Sequence, residues 1–172
     1  MLRIGVAAAI LILNLVLQST LFVYIEILGV KPNTALIIIV SYSILRGDVE
    51  GSILGFFAGL LQDIYFNDFI GLYALLGLLI GYFCGKPFRS FFRENFFLPM
   101  ALVALSSLIH QFFVYVAFFL FRARLDLPFY FRTIMLPASV YTVVLAVPVY
   151  LLLYWINNKL EKYEKNRRNY FK

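Results

Sequence analysis

Few side chains in this sequence can carry chemistry, and they are scattered. His110 is the only histidine and Cys84 the only cysteine. Ser106 precedes His110 by four positions and Gln111 follows it directly. Residues four apart share a helix face, so Ser106 and His110 can bond each other. In an apolar setting two readings are open for the histidine. It serves in a proton relay, since ionisable groups inside a membrane are costly and mark function, or it is a neutral ring bonding across a helix interface. Asp63 closes the run Gly59-Leu60-Leu61-Gln62-Asp63, with Asp68 beyond it. The two acids would make a rim free of Lys and Arg, suited to a cation or to a basic partner residue. The competing reading is a solvated helix end whose carboxylate accepts neighbouring backbone N–H groups. Asn14 and Gln18 lie one turn apart, beside Ser19 and Thr20. With Ser106, His110 and Gln111 they either line an intramembrane polar pocket or hold helices together.

Motifs for most enzyme classes are missing. There is no HExxH, no Cys/His cluster and no spaced set of carboxylates for a metal. There is no GxSxG elbow and no Walker lysine motif. A single cysteine cannot form an internal disulfide and reads as a small buried residue. No catalytic residue, cofactor or metal is expected.

The elements that position these residues follow from composition. The 172 residues are 63% hydrophobic and 14% charged, with a mean hydropathy of +0.88. Soluble chains run at about 45–50% apolar and about 25% charged. A soluble domain and a disordered chain are therefore both excluded, leaving an integral membrane protein of one domain. The net charge of +6 then reports orientation and anionic headgroups, with no nucleic acid expected as partner.

A helix needs about 20 apolar residues to cross a ~30 Å hydrocarbon core. Reading between charges and helix breakers predicts an all-α polytopic protein. Its six transmembrane helices fall at about 4–25, 33–45, 51–65, 70–85, 96–121 and 133–156, followed by a basic tail over 157–172. The first is too long for a signal peptide, and its small residues Ala7, Ala8 and Ala9 stand at the wrong end. The second and third are short. They are full spans in a thinned membrane or a re-entrant pair, and the cost of Arg46, Asp48 and Glu50 at mid-membrane favours full spans. Pro32, Pro99 and Pro137 suit helix starts, whereas Pro148 should bend the last helix.

Charge sets the orientation. With both ends inside, eleven Lys and Arg face the cytoplasm and four face outward. That bias predicts that both termini are cytoplasmic. The exception is the outer loop with Arg122, Arg124 and Arg132, read either as a binding surface or as an interfacial anchor. The loop over 86–95 interleaves basic and aromatic residues and suits the inner headgroup layer. In the tail, Glu161 with Lys165 and Glu164 with Arg168 have the favourable i,i+4 order.

Gly47, Gly51, Gly55 and Gly59 recur every four residues, and Gly77, Gly81 and Gly85 do the same, with Gly71 out of register. One glycine per turn makes a smooth stripe on which another helix backbone can approach, from this chain or from a partner.

The pattern Gly47-x3-Gly51-x3-Gly55-Phe56-x2-Gly59-Leu60-Leu61-Gln62-Asp63, then Ile70-Gly71-Leu72-Tyr73-Ala74-Leu75 and Ile80-Gly81-Tyr82, resembles the bacterial rod shape-determining family MreD. Lys31-Pro32-Asn33 is similar to the start of that family's second helix. The resemblance implies a non-enzymatic part of the cell-elongation machinery. Such a protein binds an MreC-like bitopic membrane protein. It thereby links MreB-like filaments to the transpeptidase and membrane glycosyltransferase of side-wall peptidoglycan synthesis. Its fold would be similar to the substrate-binding subunits of energy-coupling-factor vitamin transporters. That similarity raises the rival expectation of a vitamin-binding transporter subunit.

Overall fold

A computed structural model of the chain describes residues 2–24, 30–66, 71–86, 97–122 and 127–169. The regular elements among them are helices: α1 (Leu2–Tyr24), α2 (Thr34–Arg46), α3 (Asp48–Phe66), α4 (Leu72–Gly85), α5 (Phe97–Arg122), a short α6 (Leu127–Tyr130), a π-helical turn (Phe131–Met135) and α7 (Leu136–Asn169). The all-α expectation is met. Among the described residues, two helices are long and apolar enough to cross a membrane, over Phe97–Ala117 and Pro128–Tyr163.

α2 sits at the centre. Twelve of its 13 residues are buried, and it touches α1, α3, α4, α5 and α7. A helix of that length is only about 20 Å long, so it is enclosed by its neighbours rather than matched to the bilayer by itself. Asn33 caps it, its Oδ1 accepting from the Leu36 N–H at 3.1 Å. Gly47 alone separates α2 from α3, at a positive φ of 103° that a side chain would strain. Arg46 ends α2, and Asp48 and Glu50 open α3, so each charge complements the helix dipole it meets.

Two boundaries differ from the sequence reading. α3 begins at Asp48 instead of Gly51, because acids favour a first helical turn and Gly47 is sufficient as the link. The last helical stretch begins at Leu127 instead of Thr133, with Pro128 near its start. Pro137 then falls inside a continuing helix, where it lacks an N–H and crowds the carbonyl four residues back. The π turn absorbs this, with the Leu136 N–H reaching the Phe131 carbonyl. α7 continues for 34 residues through Pro148 and the basic stretch to Asn169.

The molecule is apolar outside and partly polar inside. Leu105, Ile109, Phe112 and Phe113 of α5 and Val140, Val144, Leu152 and Trp155 of α7 are exposed. Asn14, Gln62, Asp63, Ser106, Ser107, His110 and Thr142 are buried. Outward apolar faces of this extent require lipid or protein around them. Glu26, Asp68, residues 87–95, Arg124 and Asp126 lie outside the described residues, as do the side chains of Arg3 and Arg122 and those from 164 onward.

Candidate functional site

The backbones of α3 and α4 meet in a close seam. A methyl group on Gly55 would fall on the Gly77 carbonyl, and one on Gly77 would fall on the Gly55 carbonyl. Methyl groups on Gly59, Gly81 and Gly85 would meet the Tyr73 carbonyl, the Gly51 carbonyl and the Asp48 backbone nitrogen. Gly51 itself faces α2, where a methyl would meet the Ser43 hydroxyl. The backbones touch because no side chain separates them, which is the physical use of a small-residue stripe. The stripe is thus filled by α4 and α2 of the same chain, and a partner helix would need another face.

Asp63 anchors one end of that seam. It is fully buried, with 0% of its surface exposed. One carboxylate oxygen accepts from the Gly71 N–H at 2.9 Å and the Ala74 N–H at 3.0 Å, and the other accepts from the Tyr73 N–H at 3.1 Å. The residue at the α4 N-cap, Gly71, has no side chain and a φ of 113°, so α4 lacks a cap of its own. Asp63 supplies one from α3, placing a carboxylate on the free N–H groups of a helix start. Asp63 is therefore no part of a solvent-facing acidic rim. It does accept backbone N–H groups, but from a buried position instead of a solvated one.

Beside it, Gln62 Nε2 donates to Gln18 Oε1 and to Asn33 Oδ1, both at 3.3 Å. The Asn33 N–H donates to the Thr142 hydroxyl at 3.2 Å, and that hydroxyl donates to the Ala138 carbonyl at 2.7 Å. Side chains from α1, α3 and α7 thus converge on the cap of α2, while the next residue of α3 holds α4. Apolar packing alone would leave helix register loose in lipid, and directional bonds between helices set it.

The remaining polar residues are dispersed. His110 packs edge-on against Tyr73, with ring centroids 4.9 Å apart at 70°. Ser106 Oγ lies 3.4 Å from Cys84 Sγ, so its partner is on α4 and not His110. Ser107 and Ser139 hydroxyls meet at 3.2 Å between α5 and α7. Asn14 is buried in α1 and Gln111 is half-buried in α5. Three cavities that border α1 are lined by none of Asn14, Gln18, Ser106, His110 and Gln111. Among the described residues no group of three or more His, Cys, Asp or Glu is placed to hold a metal.

Sequence reasoning passed over three participants. Asn33 had a readable signal, a cap-forming residue after Pro32 and before an apolar run. Thr142 had none, since its role depends on a chain contact from Asn33 more than a hundred residues away. Arg46 read as a loop charge, yet it is 9% exposed, with its Nε buried and unbonded.

Neither a curated protein sequence nor a solved structure matches the chain. The family model for rod shape-determining protein MreD matches residues 2–159, from the start of α1 to Lys159, the first basic residue of the tail in α7. The match takes in the glycine seam, the Asp63 cap and helices α5 to α7, for which sequence motifs alone were silent. The chain belongs to the rod shape-determining protein MreD family.

Proposed function

We propose that this membrane protein is a non-enzymatic scaffold of the cell-elongation machinery in the bacterial inner membrane. It crosses the bilayer six times with both termini in the cytoplasm. It binds an MreC-like bitopic protein and so links MreB-like filaments to the transpeptidase and glycosyltransferase that build the side wall. The family match over residues 2–159 carries this reading.

The geometry supports it. Gln62, Asp63, Ser106 and Ser107 each bond from one helix to another, which is what a rigid scaffold needs. Gln18 is bonded to Gln62, Ser106 sits on Cys84 and the His110 ring packs on Tyr73. With the stripe occupied by α4, the partner's transmembrane helix meets one of the outward apolar faces instead.

Co-expression with an MreC-like bitopic protein from the same genome tests the proposal. The two are expected to co-purify in mild detergent, and depletion of this chain is expected to turn rod-shaped cells round. Absence of any such partner, together with a vitamin-sized ligand in the purified protein, would replace the scaffold with the transporter reading.

A further inference from the structure

Three buried side-chain polar atoms among the described residues lack a hydrogen-bond partner, the Thr34 and Ser41 hydroxyls and the Arg46 Nε, and only Arg46 carries a charge. It is buried among α1, α2 and α7, only 9% exposed, and its Nε has no hydrogen-bond partner. It lines a cavity of about 20 Å³ with Val6, Tyr42 and Asn157, room for one water molecule. A buried guanidinium donor left unbonded is costly, and its fork of N–H groups matches the oxygens of a phosphate.

Two larger spaces flank this cation. A groove of about 720 Å³ runs between α1 and α3 and shares Ala7 and Tyr42 with the Arg46 cavity. Its walls are apolar, including Leu11, Ile53 and Phe57, apart from Tyr42 and Glu50. The Tyr42 hydroxyl donates to Glu50 at 3.4 Å. An acid in that groove disfavours an anion there, so the groove suits an apolar occupant. On the other flank, a groove of about 500 Å³ between α1 and α7 carries Trp155, Lys159, Lys162 and Tyr163, and shares Val6, Ile156 and Leu160 with the Arg46 cavity. Lys159 Nζ lies 3.7 Å over the Trp155 ring. A basic and aromatic surface of this kind suits the headgroup layer.

We infer that this end of α1 holds one anionic diacyl phospholipid, its phosphate on Arg46 beside Lys159 and Lys162 and an acyl chain in the α1–α3 groove. The order of the three spaces carries the assignment: apolar groove, buried unpartnered cation, exposed cations. It rests on the membrane-embedded reading of the chain, and partner binding is not part of the test, so its failure leaves the scaffold reading untouched.

The full chain, delipidated in neutral detergent, would be titrated with phosphatidylglycerol, with phosphatidylcholine of the same chains and with inorganic phosphate, and bound lipid counted by native mass spectrometry. One phosphatidylglycerol per chain is expected, held about tenfold more tightly than phosphatidylcholine. Arg46→Gln should erase that preference, and Ala8→Trp, which fills the groove from an exposed position, should weaken both lipids. Equal binding of the two lipids, unchanged by Arg46→Gln, overturns the inference. So does competition by millimolar phosphate, which would make the site one for a small free anion. Should Arg46→Gln fail to fold, the comparison of lipids and the Ala8→Trp variant decide.

Discussion

Asp63 does for α4 what α4 cannot do for itself. Three backbone N–H groups point at one buried carboxylate, and nothing in the α4 cap position could replace it. Asp63→Ala should cost about 2 kcal/mol, the scale of charge-assisted bonds lost in a buried site. Asp63→Asn, with one acceptor oxygen and an unwanted donor, should fall between. Cys84 provides the measurement, since the only cysteine is buried and labels with a thiol-reactive dye on unfolding. His110 behaves differently. Its ring packs edge-on against Tyr73, so His110→Phe should keep the melting temperature and rod shape. Rounded cells with a normally folded His110→Phe protein would instead restore the proton-relay reading.

At the scale of elements, the α3–α4 seam depends on missing side chains. Even Gly55→Ala must push two backbones apart, with an expected loss of about 1–3 kcal/mol and a lower membrane abundance. Gly5→Ala is the control, because open space surrounds it and alanine favours a helix. Gly71→Ala separates backbone strain from crowding. Its added methyl meets nothing, but the positive φ should still cost about 1–2 kcal/mol. A thermal melt of the three variants should rank them Gly5→Ala, Gly71→Ala, Gly55→Ala in increasing damage. The stripe was legible in the sequence because four-residue spacing survives translation into one helix face. The occupant of that face was not legible, because a smooth stripe accepts any backbone.

The whole molecule is organised by where charge is tolerated. Most charges stand at the ends of the apolar segments, and the Lys and Arg bias between those ends predicts which face is cytoplasmic. A fluorescent protein fused after Lys172 should therefore glow in the cytoplasm, and a periplasmic reporter at the same place should stay silent. The opposite pattern would invert the topology. At this scale the Arg46 site has the same origin as the orientation: a cation kept at one end of the bundle, there with a lipid as its counterpart.

Composition and spacing by themselves determined that the chain is helical, membrane-embedded and poor in catalytic machinery, and they marked Gly55, Asp63 and Gln18 as residues needing an explanation. Those properties are local, set by hydropathy along the chain and by side chains within a turn of each other. Only the tertiary structure decided that Asp63 caps α4, that Gln62 ties Gln18 to Asn33, and that Ser106 turns to Cys84 instead of His110. Each of these depends on which helices become neighbours. That choice is made by packing of whole faces around α2, which no single segment encodes.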